Sequence, residues 1–276
     1  MDSLKNKNLS FDKISNILTL RYNPNNQSNL KKINWKDYLP KKTANSILIK
    51  NLLQKSLKKN LISKSNLSVA LSGGVDSTLL LSLTKEIFPD LPITAITITF
   101  PYSEDESKSA SNIAQNFDID HKIIHVDNFL KELPAAIGIL KEPYYDVMNW
   151  YYLVKNSKSI SNSLLTGDGA DEIFGGYTFR YSKFLNSIND NSSPIEKVKA
   201  YLQCHERDWV PDQENLFGNK SKFSWNQIND ILKPFFDNSL SSLDQLFLAD
   251  FNGKLKNNFI PNYEKFYNFF KISSIS

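Results

Sequence analysis

Glycine is scarce in this chain of 276 residues, and six of its nine glycines fall in two short segments. Gly73 and Gly74 lie in SGGVDS (72–77), and Gly167, Gly169, Gly175 and Gly176 in GDGADEIFGGY (167–177). Each segment follows a short apolar run, LSVAL at 67–71 and SLLT at 163–166, and the first leads into good helix formers from Ser77 to Phe88. The pattern is strand, glycine turn, helix. Glycines directly after a strand let the backbone turn sharply and approach a ligand closely. The N–H groups of the turn, with the start of the next helix, then form a ready anion site. Phosphate is the natural occupant, and Ser72 and Ser77 add hydroxyl donors. Asp76 would repel phosphate directly but suits Mg²⁺ bridging the phosphates. The GxxxxGKS/T spacing and its lysine are absent, which excludes the ordinary P-loop.

The rest of the pattern places these turns in a sheet. ITAITITF (93–100), between Pro92 and Pro101, reads as a second strand and 121–126 as a third. Helices are expected over 104–117, with an acidic first turn, and over 127–140 and 146–160. An amphipathic helix from Thr43 to about Asn60 precedes them, carrying Ile47, Leu48, Leu52, Leu53, Leu57 and Leu61. Alternating strands and helices imply an α/β fold with a doubly wound, mostly parallel sheet. In such sheets ligands sit outside the carboxyl ends of the strands, where the strand order reverses. If the first and fourth strands are neighbours there, Asp76 and Asp171 face one another across one crevice and describe a Mg²⁺–nucleotide site.

Three regions are expected: a polar lead-in at 1–42 with room for a short helix, a nucleotide-binding α/β domain at 43–180, and a helical, aromatic-rich part at 181–276. The 33 Lys and Arg against 29 Asp and Glu leave a formal charge of +4 spread along the chain, which argues against a dedicated nucleic-acid binder. Cys204 is the only cysteine, so neither an intrachain disulfide nor a cysteine metal cluster can form, and a reducing, cytoplasmic setting fits. No apolar run approaches the roughly 18 residues that cross a bilayer, so no membrane role is expected.

These residues carry a family resemblance. SGGVDS resembles the signature of the PP-loop ATP pyrophosphatases, which cleave ATP between the α- and β-phosphates on an adenine-nucleotide α-hydrolase-like fold. GDGADEIFGGY is similar to the synthetase domain of the asparagine synthetases and of relatives forming other amide or β-lactam bonds, and KEPYYDV (141–147) resembles the stretch preceding it there. The resemblance implies that Ser72, Gly73, Gly74, Asp76 and Ser77 hold the pyrophosphate moiety of ATP. It further implies that Leu71 and Ile98 line the adenosine pocket, that Thr166 and Gly167 contact the AMP portion, and that Asp76 and Asp171 bind Mg²⁺. Asp168 stands where asparagine synthetases usually carry Glu; the acid there supports acyl-adenylate formation and can serve as base for the attacking amine. The implied reaction is ATP-dependent amide formation, with a small-molecule carboxylate, in the first place aspartate, activated as acyl-adenylate and aminated by ammonia. The alternatives are an amidotransferase acting on another carboxylate or a sugar, and a nucleotide-binding subunit without turnover. Position 2 is Asp2 rather than the nucleophilic cysteine of a glutaminase domain, so ammonia is expected free or from a separate glutaminase subunit. The helical part is also expected to be cut short of the family's pyrophosphate-stabilising lysine.

Other candidates have plainer readings. His121 and His125 in HKIIH share one face of a strand but lack a visible third metal ligand. Cys204 and His205 are adjacent, and adjacent residues on a helix do not face each other. Phe266, Tyr267, Phe269 and Phe270 read as core packing.

Overall fold

The computed structural model describes residues 10–38, 45–101, 105–142, 147–189, 191–205, 213–217 and 223–275. It divides into two compact units, each assembled from separate stretches: 41–168 with 262–276, and 1–40 with 169–261.

The first of these is the α/β unit. After α3 (Ser46–Leu61), capped by Asn45, it alternates β1 (Leu67–Ala70), α4 (Val75–Ile87), β2 (Ile93–Thr99), α5 (Ser107–Asn116) and β3 (Asp120–His125). Then come α6 (Leu133–Leu140), α7 (Met148–Ser157) and β4 (Ser163–Leu165); α14 (Ile260–Phe270), which enters the unit at Asn262, and β5 (Ser273–Ile275) complete it. The five strands form one parallel sheet in the order β3-β2-β1-β4-β5. Strand order therefore reverses at β1, and β1 and β4 are neighbours. Leu57, Leu61, Leu67, Val69, Leu81, Ile93, Ala95 and Leu165 fill the core around the sheet.

Local chemistry moved several expected boundaries. Helix α4 starts at Val75, because Gly74 occupies the N-cap with extended backbone, so Asp76 and Ser77 belong to its first turn. Helix α5 starts at Ser107, whose N–H donates to Asp105 Oδ1 at 2.9 Å. Its acids thus precede the helix rather than form its first turn; Glu104 lies outside the described residues. The stretch expected as one helix over 127–140 divides into a 3₁₀ turn at Phe129–Glu132 and α6. Pro134, which has no N–H, sits at the start of α6, where helices tolerate it. Strand β5 falls where only helix was expected.

The other unit is helical: α1 (Phe11–Leu20), α2 (Trp35–Tyr38), α8 (Ala170–Phe174), α9 (Thr178–Asn186), α10 (Pro194–Gln203), α11 (Gln213–Phe217), α12 (Trp225–Leu232), α13 (Ser242–Asp250) and a π-helix at Phe251–Phe259. Leu20, Tyr22, Phe184, Val198, Tyr201, Ile228, Leu232, Phe236 and Leu246 form its core. The polar stretch near the chain start is held by asparagines of the π-helix. Asn252 accepts from Ile33 N at 3.0 Å and donates to Ile33 O at 2.8 Å, and Asn257 donates to Pro24 O at 3.1 Å. Among the described residues no helix is long and apolar enough to cross a membrane.

Candidate active site

The cleft opens where β1 and β2 part. Their ladder ends at Ala70 opposite Ile96, whereas β2 stays paired to β3 as far as Thr99 opposite His125. Beyond that fork, Leu71, Ser72, Asp76, Ser77, Ile98, Gly167 and Asp168 line one cleft, together with Thr97, Glu106 and Trp150.

The SGGVDS turn is built by its own hydroxyls. Ser72 Oγ accepts from Gly74 N at 3.2 Å, Ser77 Oγ lies 3.3 Å from Ser72 Oγ and from Gly74 O, and the Thr78 hydroxyl donates to Gly74 O at 2.7 Å. Gly73 has φ +80°, and a Cβ there would stand 2.7 Å from Ser109 Oγ on α5, so only glycine lets helix and turn approach this closely. The second motif meets the first at Gly167, where a Cβ would stand 3.2 Å from Asp76 Cβ. Thr166 is buried, and its N–H donates to Ile275 O of β5 at 3.1 Å. Burial first, and then the Asp168 charge, push the Tyr267 phenol up, so it stays neutral near that carboxylate.

Asp171 belongs to the helical unit, in the first turn of α8. Its backbone O accepts from Gly175 N, Gly176 N and the Tyr181 hydroxyl at 2.9, 3.2 and 3.2 Å, and its carboxylate lies over Gly176, where any side chain would displace it. Glu172 is buried and accepts from the Tyr177 hydroxyl at 2.8 Å; burial holds its carboxyl above the usual range. Half of GDGADEIFGGY therefore braces itself.

The oxygen-only donor set of the cleft, Asp76 and Asp168 with the Ser72 and Ser77 hydroxyls, fits a hard cation. Among the described residues no group of three His, Cys, Asp or Glu side chains converges. A Mg²⁺ ion would therefore share its coordination with phosphate oxygens, as it commonly does.

The plainer candidates are accounted for by their partners. His121 contacts the Thr97 and Ser111 hydroxyls and His125 the Thr99 hydroxyl. Arg180 can only donate, so its contact with His205 Nε2 makes that nitrogen an acceptor, and His205 Nδ1–H donates to Tyr201 O at 2.8 Å. Burial keeps His205 neutral and raises the Cys204 thiol, the reverse of an activated nucleophile and base. Phe266 and Tyr267 are buried, as read, but Phe269 is 61% exposed. In KEPYYDV, residues 143–146 lie outside the described residues.

The sequence reading missed Thr97, Glu106 and Trp150 in the cleft wall. Neither Thr97, one threonine in a β-branched strand, nor Trp150, stacked on Tyr263 at 4.2 Å, left a local signal.

A parallel α/β unit with a hydroxyl-braced glycine turn at the head of a helix, placed at the reversal of strand order, defines a PP-loop-type nucleotide fold. The chain belongs to the asparagine synthase family: the family's sequence model, described as asparagine synthase, matches residues 48–251. It is 26% identical over 183 residues to asparagine synthetase (glutamine-hydrolyzing) 1 of Bacillus subtilis, covering 61% of this chain and 29% of that protein. It is likewise 26% identical over 200 residues to asparagine synthetase B (glutamine-hydrolyzing) of Escherichia coli, covering 64% of this chain and 33% of that one. The chain thus spans about a third or less of the length of these relatives. Among solved structures, it is similar to an NH3-dependent NAD synthetase from Campylobacter jejuni at 15% identity and a TM-score of 0.36, covering 68% of this chain and 97% of that one.

Proposed function

We propose that this chain is the synthetase part of an ATP-dependent amide-forming ligase, with aspartate as the carboxylate substrate and ammonia as the nitrogen donor. The observation that carries the reading is the meeting of Gly167 with Asp76 at the reversal of strand order, which puts the hydroxyl-braced turn and Asp168 in one cleft. Ser72, Gly73, Gly74 and Ser77 would hold the β- and γ-phosphates through N–H and O–H donors. Leu71 and Ile98 would flank the adenosine, and Thr166 and Gly167 the AMP portion. Asp76 and Asp171 would hold Mg²⁺, which would supply charge neutralisation for the pyrophosphate.

The substrate carboxylate oxygen attacks the α-phosphorus, the bond from that phosphorus to the bridging oxygen breaks, and pyrophosphate leaves with the electron pair. Ammonia then attacks the acyl carbon, loses a proton, and AMP leaves. Asp168, which lines the same cleft, would receive that proton. Ammonia would reach the site free or from a separate glutaminase subunit.

The test is exchange of labelled pyrophosphate into ATP dependent on aspartate. Asp168→Asn should abolish exchange while leaving binding of a non-hydrolysable ATP analogue nearly intact. Asp76→Asn and Asp171→Asn should weaken that binding in the presence of Mg²⁺. Unchanged affinity in both would sink the shared-ion assignment, and exchange driven by another carboxylate but not aspartate would correct the substrate.

A further inference from the structure

The nucleotide cleft exists because β1 and β2 part after Ala70 and Ile96. Parting two strands leaves the next carbonyl, that of buried Leu71, in need of a donor. The Thr97 side chain supplies it: its hydroxyl donates to Leu71 O at 2.6 Å, while Leu71 N still donates to Ile96 O at 3.0 Å. A hydroxyl has one proton. Thr97 Oγ1, having given its proton to Leu71, can only accept from His121 Nε2, 2.8 Å away. His121 is thereby fixed as the Nε2–H tautomer. Its Nδ1 is then an acceptor, and the Ser111 hydroxyl, 3.0 Å away, donates to it. Ser111 lies on α5, two residues after Ser109, the residue pressed against Gly73. One helix thus braces the glycine turn directly and the fork of the strands through an ordered chain of hydrogen bonds, Ser111 to His121 to Thr97 to Leu71.

We propose that His121 is a positioning residue for the adenosine side of the cleft, acting through Thr97 to hold the Leu71 carbonyl and the parted strand ends at their spacing. The role rests on the nucleotide reading given above. It concerns the wall formed by Leu71, Thr97 and Ile98, not the pyrophosphate turn, so the two halves of the ligand should respond differently to its loss. The ring nitrogens can also be separated. Asparagine at 121 reaches about as far as Nδ1 and can keep only the Ser111 link; glutamine reaches about as far as Nε2 and keeps the donor to Thr97.

The experiment is calorimetric titration of the full chain with AMP and, separately, with inorganic pyrophosphate and Mg²⁺, for Thr97→Val, Thr97→Ser, His121→Asn and His121→Gln, with melting temperatures alongside. Thr97→Val and His121→Asn should weaken AMP about tenfold, as expected when a buried carbonyl loses its donor or that donor loses its support, with pyrophosphate affinity held within about twofold. Thr97→Ser and His121→Gln should keep AMP within about threefold of the parent. Loss of AMP and pyrophosphate affinity in parallel with the melting temperature would reduce both residues to fold stability and overturn the proposal. So would AMP affinity equal in all five proteins. A parent chain that binds neither ligand would overturn the nucleotide reading itself, and this role with it.

Discussion

At the scale of single residues, the glycines of the first motif divide by what surrounds them. Gly73 combines a positive φ with the Ser109 side chain at its back, whereas Gly74 has extended backbone, and a Cβ there would meet only the Ser72 hydroxyl, at 3.2 Å. Gly73→Ala should therefore lower stability by about 1–3 kcal/mol, from the left-handed backbone and the displaced α5 together, while Gly74→Ala stays well below that. Urea unfolding of the two variants checks this, and equal losses would show that the turn tolerates a side chain at both places. Gly73 was legible in the sequence because it answers a need that few residue types meet, a sharp turn with a close approach, and Asp76, read as part of the same turn, lines the cleft. Thr97 was not legible, since a threonine in a β-branched strand is ordinary and only the fork between β1 and β2 gives its hydroxyl a task.

At the scale of elements, α8, α9 and α13 enclose charge that no sequence pattern announces. Arg180 pairs with Asp250 at 3.2 Å with both side chains at most 5% exposed, and Asp250 also accepts from the Tyr201 hydroxyl at 2.8 Å. Removing one partner of such a pair strands the other: Asp250→Asn should lower stability by about 3–5 kcal/mol. Glu172 should behave oppositely. Burial raises its folded-state pKa above the ordinary 4.5, so below 4.5 both folded and unfolded chains hold the proton and nothing is lost. As pH rises through the folded pKa, the buried carboxyl has to ionise and stability falls. Glu172→Gln keeps an acceptor for the Tyr177 hydroxyl without that ionisation, so its advantage over the parent should be larger at pH 8 than at pH 4. Urea midpoints at the two pH values measure it; a variant weaker than the parent at pH 8, or a difference independent of pH, would refute the assignment. The strand and helix order of the α/β unit was readable from periodicity and glycine turns. The helical character of 181–276 was readable too, but its buried charge was not, because Arg, Asp and Glu look like surface residues until their partners, 70 residues away in the case of Arg180 and Asp250, are known.

At the scale of the whole molecule, each unit is assembled from stretches far apart in the chain. The α/β unit takes its last strand from the far end: β5 lies beside β4, with Ser163, Leu164 and Leu165 opposite Ser273, Ser274 and Ile275. Three residues among helices give no strand signal in sequence, yet this strand has a specific duty. Ile275 O accepts the Thr166 N–H at 3.1 Å, and Ser273 N donates to Asn162 O at 2.7 Å, so β5 clamps β4 at both ends. Thr166 is the residue from which Gly167 and Asp168 project into the cleft. Ending the chain after Lys271 would leave the Thr166 N–H without this acceptor and uncover the core side chain of Ile275's neighbour, Leu165. The loss of these two hydrogen bonds and of the buried Ile272 and Ile275 side chains should lower stability by about 4 kcal/mol or more and weaken binding of a non-hydrolysable ATP analogue several-fold. Restoring residues 272–275 alone should recover both. Hydrogen exchange should locate the damage at 163–168 and leave α10 and α13 protected as before. Protection lost evenly over both units would mean that β5 supports the fold at large and has no particular hold on the cleft.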